Sequence, residues 1–362
     1  MSPETVSIAR QNAAEASGDD KVVEGPLHGY HHETYVFPLA DEAGRLHPGR
    51  WKCREPRDGL LWFDRRCFAS EERLLTALGD RVPRVPGLVE VGGLRLMRFI
   101  EGTTLGARHP SGTEVPEALC RQITELFGKL AAIGPEAVTA ERRCAAEDRP
   151  ADGDSDGFLE RLVHFTEHRV YRPNLDRFES LFAELGLTET SFKHLRAHVH
   201  GLARRPFCLL HADLHRENFI VDPVDRLWTI DWELAMVGDP LYDLATHLHL
   251  MRYPVPQARE TAARWHTAVR AVRPGSVRGW ADDLPPLLAY KRAQSVFTDV
   301  IRSALALESA DPPPVLPLAV KLREILAAGA RPLGLADVPA PRRVASALTR
   351  WHRVHGTGRD VR

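Results

Sequence analysis

The sequence predicts an α+β fold of two lobes, a small N-terminal sheet lobe with one helix and a larger, mainly helical C-terminal lobe. Three observations predict it. Strand-like alternation fills the stretch from Lys21 to about Phe99 around a single helical segment. Helical spacing dominates from Glu117 onward. One late segment, 207–231, interrupts that spacing with three short apolar runs separated by polar loops.

Each element follows from local pattern. Residues 1–20, MSPETVSIARQNAAEASGDD, are small, polar and acidic and read as a flexible arm. Thr34–Pro38 alternates and is rich in β-formers, Trp51–Glu55 reads as a second strand after the Gly/Pro turn near 44–49, and Leu94–Ile100 reads as a third. Between the last two lies FASEERLLTAL, 68–78. Its apolar spacing (Phe68, Leu74, Leu75, Leu78) and its Ser70-Glu-Glu start predict an amphipathic helix. These elements make a first lobe over 21–100. Helical spacing then recurs over 117–133, 158–169, 175–185 and 191–202, and again over 240–251, 255–272, 284–307, 316–328 and 342–354. They give a second lobe over 101–330 and a helical extension over 331–362. Residues 139–157 are polar and rich in Gly and Asp and read as a mobile inserted loop.

Composition narrows the function. Lys and Arg number 48 against 49 Asp and Glu, a formal charge of −1, so a bulk polycation that coats nucleic acid is excluded. No apolar run approaches the roughly 20 residues of a membrane-spanning helix. The N-terminus lacks the apolar core of a secretory signal. Five cysteines (Cys53, Cys67, Cys120, Cys144, Cys208) are odd in number and without a CxxC pair. They read as core fillers in a reducing cytoplasm rather than a disulfide framework or a zinc ribbon.

The chemistry is concentrated in LLHADLHRENFIVDPVDRLWTIDWELAMVGDPLYDL, residues 209–244. A strand over 207–210 delivers a loop bearing His211, Asp213, His215, Glu217 and Asn218, and a hairpin of apolar strands follows and ends at Asp231. A hairpin brings its ends together, so Asn218 and Asp231 are expected to lie close in space. An amide oxygen and a carboxylate are hard ligands and suit Mg²⁺ rather than a soft metal. Asp213 is then placed to orient or deprotonate a hydroxyl. A zinc pair of His211 and His215 is the rival reading, but no further His or Cys ligand stands at helpful spacing. The D-x-x-x-x-N spacing with a later Asp is the arrangement phosphoryl transfer uses.

HADLHRENFIVD, followed by TIDWELAMVGDPLYDLA, resembles the signature of the aminoglycoside phosphotransferase and choline kinase-like group of small-molecule kinases, and the resemblance extends over roughly 21–310. It implies a protein kinase-like two-lobed fold, a cytoplasmic enzyme, and ATP with Mg²⁺ as cofactors. By resemblance, Asp213 is the catalytic base or hydroxyl orienter, Asn218 and Asp231 hold Mg²⁺, and His211 braces the loop by hydrogen bonding. Asp239 reads as a helix N-cap before Pro240. Ala212 stands where the group usually has Gly, which matters if the backbone there needs positive φ. Kinases place a strand Lys on the nucleotide phosphates and pair it with a helix Glu. Lys52 fits the first role, with Arg50 and Arg54 as competitors, and Glu71 fits the second, with Glu72 as its competitor. Gly29, in GPLHGYHHETYVF, sits before a strand as a phosphate-covering turn would.

The acceptor is less legible, because fold does not name a substrate. A hydroxyl of an antibiotic-like, aminoglycoside-type small molecule is expected first. A Ser or Thr of a ribosomal peptide precursor comes second, a metabolite third, and a catalytically silent nucleotide-binding regulator is the reading from another class. No nucleic-acid or membrane partner is expected.

Overall fold

The structure is a computed structural model that describes residues 7–27, 32–40, 46–57, 63, 65–309 and 312–356. The chain divides into two compact units, one made of Met1–Cys144, Leu209–Met236 and Leu250–Val272, the other of Ala145–Cys208, Val237–His249 and Arg273–Arg362. The first unit continues well past residue 100 because a short strand at 103–104 pairs with the late hairpin.

The first unit begins with a correction. Residues 8–17 are not part of a flexible arm but a helix, α1 (Ile8–Ser17), capped by Ser7, whose side chain accepts from the Arg10 N–H. Its small residues Ala9 and Ala13 allow close approach to the sheet, where they are buried against Tyr35, Phe37, Leu39, Trp51 and Leu96. A run of alanines carries little hydrophobic signal on its own, so the composition read as an arm.

Five antiparallel strands follow: β1 (Glu24–Leu27), β2 (His32–Ala40), β3 (Leu46–Pro56), β4 (Leu88–Val91) and β5 (Leu94–Arg98), in the order β1-β2-β3-β5-β4. The register pairs Val36 with Lys52 and Thr34 with Arg54. Successive side chains on a strand point to opposite faces. Trp51 and Cys53 pack on the α1 side, so Lys52 and Arg54 share the other face. There stands α2 (Glu71–Leu78), N-capped by Ser70, with Glu71, Leu74, Leu75 and Leu78 buried. The helix expected from 68 begins at 71, because Phe68 instead forms an antiparallel bridge with Arg142. That bridge also gives structure to part of the loop expected over 139–157.

The rest of the unit carries β6 (Thr103–Thr104), α3 (Leu105–Arg108) and α4 (Glu117–Ala131), and then, beyond the strand β7 (Cys208–Leu210), the hairpin β8 (Phe219–Val221) and β9 (Leu227–Thr229). Asp222 closes the hairpin turn. Its Oδ1 accepts the Val224 and Arg226 N–H groups at 3.0 and 2.9 Å, and its Oδ2 accepts from the Trp228 indole at 3.0 Å.

The second unit is helical and contains α5 (Ser155–Phe165), α6 (Leu175–Glu184), α7 (Glu189–His198) and most of α8 (Pro240–Met251); α9 (Val255–Val272) belongs to the first unit, and α10 (Trp280–Ser309), α11 (Val315–Leu333) and α12 (Pro341–His355) complete the second. The single helix expected over 158–169 is instead α5 continued by a π turn over Thr166–Tyr171. Tyr171, Phe182, Phe192 and Phe297 form its aromatic core, with Phe192 and Phe297 stacked at 4.6 Å. The C-terminal extension is anchored by Trp351, which stacks on Phe178 at 5.1 Å and donates to the Arg177 carbonyl at 2.8 Å. Arg205 is fully buried. Its guanidinium meets both oxygens of Asp239 and one of Asp283, so three buried charges satisfy one another. Asp239 also accepts from the Leu241 N–H at 2.9 Å, as an N-cap does.

Candidate active site

The candidate cluster lies wholly within the first unit. The hairpin brings Asn218 and the residue before Asp231 into hydrogen-bonding contact, Ile230 N–H donating to the Asn218 carbonyl at 3.0 Å. Asn218 is buried, and its Nδ2 donates twice to Asp213, to the backbone carbonyl at 2.9 Å and to Oδ2 at 3.2 Å. Both amide hydrogens are thereby spent on Asp213.

Two residues of this cluster adopt positive φ. Ala212 has φ +63° and Asp231 has φ +65°. Left-handed backbone is unfavourable for residues with a Cβ, by about 1–2 kcal/mol each. The position where glycine is usual in the resembled signature therefore does need that conformation, and the alanine here adopts it under strain. The Asp231 Oδ1 atom is buried and accepts no hydrogen bond among the described residues. A buried carboxylate oxygen without a donor is a vacancy for a cation.

Glu71 explains how Asp231 is held. Its Oε1 accepts the Trp232 N–H at 2.8 Å, and its Oε2 pairs with the Arg54 guanidinium. Arg54 Nη1 in turn stands 3.7 Å from Asp231 Oδ1. The helix Glu thus meets Arg54, two residues along the strand from Lys52. Sequence reasoning offered Arg54 only as a competitor, since strand alternation puts both cations on one face and cannot choose between them. Lys52 makes no ion pair among the described residues. Burial, and next the Arg54 charge, lower its pKa below the ordinary lysine value. Arg50 is occupied elsewhere, held by Glu24 and Glu101 and lying 4.9 Å over the Phe99 ring. Gly29 lies outside the described residues.

His211 is fully buried, and its Nε2 is 3.1 Å from the Ile230 carbonyl. A carbonyl only accepts, so Nε2 carries the hydrogen. Burial pushes its pKa down to about 4, which keeps the ring neutral. The ring also lies 4.7 Å from that of Trp232. His211 therefore ties the chain before Asp213 to the chain before Asp231.

Three further residues stand in contacts that the sequence reading did not give them. His215 Nε2 is 3.4 Å from Asp213 Oδ2; burial works to lower its pKa, but the hydrogen bond to Asp213 together with the charges of Asp213, Asp231 and Glu217 raises it. Arg216 is buried and donates to three carbonyls, of His109, Thr113 and Met251, which pins the catalytic loop. Glu233 is buried beside Asp231, and burial, then the Asp231 charge, lift its carboxyl to about 7. Its Oε2 is 3.8 Å from His32 Nε2.

A strand cation, a helix Glu, an Asp–Asn loop and an Asp after a hairpin are thus brought together in the first unit. The sequence matches the APH phosphotransferase enzyme family over residues 27–280. The chain belongs to that family. Its reaction is transfer of a phosphoryl group to an alcohol, the work of a kinase. The fold is similar to that of the macrolide 2'-phosphotransferase of Brachybacterium faecium, with a TM-score of 0.51 and 19% identity, covering 91% of this chain and 98% of that one. It is similar also to the ethanolamine kinase of Plasmodium vivax, with a TM-score of 0.51 and 12% identity, covering 92% of this chain and 82% of that one. The α+β architecture of this phosphotransferase is therefore the protein kinase-like fold. Among the described residues no three His, Cys, Asp or Glu side chains are grouped to hold a metal ion, and no helix is long and apolar enough to cross a membrane. An ion held by one carboxylate, one amide oxygen and nucleotide phosphates needs no such trio.

Proposed function

We propose that this phosphotransferase moves the γ-phosphate of ATP onto a hydroxyl of an antibiotic-like small molecule. The buried Asp231 Oδ1, which accepts no hydrogen bond among the described residues, carries the reading. Asn218 and Asp231 would hold Mg²⁺, a hard ion suited to an amide oxygen and a carboxylate. When bound, Mg²⁺ supplies neutralisation of the phosphate oxygens. Lys52, without an ion pair among the described residues, is available to the nucleotide phosphates. Arg54 and Glu71 fix the strand, the helix and the Asp231–Trp232 peptide as one body. Asp213, oriented by Asn218 and His215, accepts the hydrogen of the acceptor hydroxyl and aligns its oxygen for attack. His211 stays neutral and braces the loop. Support for the acceptor class comes from the likeness of fold to the macrolide 2'-phosphotransferase.

The test is a transfer assay with MgATP against macrolide, aminoglycoside, choline, ethanolamine and Ser/Thr peptide panels, read as a gain of one phosphoryl mass. Asp213→Asn should lower kcat by about 10²–10⁴-fold while MgATP still raises the melting temperature. Transfer confined to amino alcohols or peptides overturns the acceptor class. An Asp213→Asn enzyme with undiminished turnover overturns the catalytic assignment.

A further inference from the structure

Two of the five cysteines are brought together by the fold. Cys67 and Cys144 lie 77 positions apart in the chain. The antiparallel bridge of Phe68 with Arg142 joins their segments. Around it, Ala69 N–H donates to the Glu141 carbonyl at 3.0 Å and Arg143 N–H to the Cys67 carbonyl at 2.9 Å. The Cys144 Sγ stands 3.9 Å from that same Cys67 carbonyl oxygen. Both residues are half-buried, so a small reagent can reach them.

The neighbouring Cys144 thiol first, and burial second, lift the Cys67 thiol well above its ordinary pKa. The Cys67 thiol so held protonated is the later of the two to react. The other three cysteines differ. Burial raises Cys53 and Cys120 to about 11 and Cys208 well above the ordinary value, and none has another cysteine among the groups acting on it.

We propose that Cys67 and Cys144 are a redox modification site that closes to an intramolecular disulfide on meeting a low-molecular-weight disulfide. The Cys144 thiolate attacks one sulfur of the reagent, forming a mixed disulfide and releasing one reagent thiolate. Cys67 loses its proton and attacks the Cys144 sulfur, forming the Cys67–Cys144 bond and releasing the second reagent thiolate. The protein loses two hydrogens and two electrons, and the reagent becomes two thiols. The backbone bridge already holds the two segments side by side. Cys67 precedes the Ser70 cap of α2, so the link anchors the chain entering the helix that carries Glu71.

The test uses the full chain, reduced and then incubated with oxidised glutathione, blocked with N-ethylmaleimide and digested for mass spectrometry. The expected product is one peptide pair joined through Cys67 and Cys144. The melting temperature should rise on oxidation, because the link closes a long loop of the unfolded chain, and return with a thiol reductant. Cys144→Ser should show neither the joined peptides nor the rise. Recovery of both cysteines separately alkylated, each capped by its own glutathione, or joined between chains would overturn the proposal, and the wild-type experiment alone reads all three.

Discussion

The Glu71 carboxylate accepts the Trp232 backbone N–H at 2.8 Å. That single contact links helix α2 to the peptide following Asp231, whose left-handed backbone would otherwise relax. Glu71→Gln can keep an oxygen on Trp232 but loses the ion pair with Arg54, whereas Glu71→Ala loses both. The expected order of kcat/KM is therefore wild type, then Gln, then Ala, with Ala down by at least about tenfold relative to Gln. Equal activity of the two variants would deny the backbone contact a role. Steady-state kinetics with the acceptor found in the transfer screen measures it.

Lys52 and Arg54 should separate cleanly. Lys52→Met removes a cation that no carboxylate among the described residues depends on, so the KM for ATP should rise with little change in melting temperature. Arg54→Met strands the buried Glu71 carboxylate, and breaking such a pair costs about 3–5 kcal/mol. The expected signature is a lower denaturation midpoint for Arg54→Met alone. Comparable destabilisation by both variants would contradict this division.

His211 predicts an acid sensitivity with a definite sign. Its folded pKa of about 4 lies below the ordinary 6.5, so the unfolded chain binds the proton first. The stability this neutral ring supports is fully present above about pH 6.5. It is lost progressively as pH falls toward 4 and changes no further below that, amounting to about 3 kcal/mol. Urea denaturation of wild type and His211→Gln between pH 7.5 and 4 should show a shallower pH slope in the variant. Parallel slopes would place the acid sensitivity elsewhere.

Glu233 predicts proton release. With its carboxyl near 7, about half the molecules hold that proton at neutral pH. A cation arriving beside Asp231 favours the ionised form, so MgATP binding at pH 7 should release a fraction of a proton. Calorimetry in two buffers of different ionisation enthalpy measures it. Glu233→Gln should abolish the difference, and a difference that survives the substitution would exclude Glu233 as its source.

The candidate loop was legible because the residues that mark it stand at short, ordered spacing in the sequence. Asp213 with Asn218, and the turn that returns the chain to Asp231, are all local in sequence. What could not be read depends on distant partners. Arg54 and Lys52 are equivalent by alternation, and only the placement of Glu71 distinguishes them. The buried Arg205 resembles any polar-loop arginine until Asp239 and Asp283 meet it from 34 and 78 positions away. The alanines of α1 became legible only against the apolar face of the sheet.

The threading of the chain between its two units carries a consequence for how the enzyme is made. The sheet, the catalytic hairpin and α9 belong to one unit but are drawn from three separate stretches, the last ending at Val272. A ribosome delivering residues in order cannot complete that unit until Val272 has emerged. No contiguous fragment that stops at the first hundred residues holds the catalytic carboxylates, and none that starts after Cys144 holds Lys52, Arg54 or Glu71. Split expression, domain transplantation and genetic complementation by halves should all therefore return inactive material unless the two pieces reassemble.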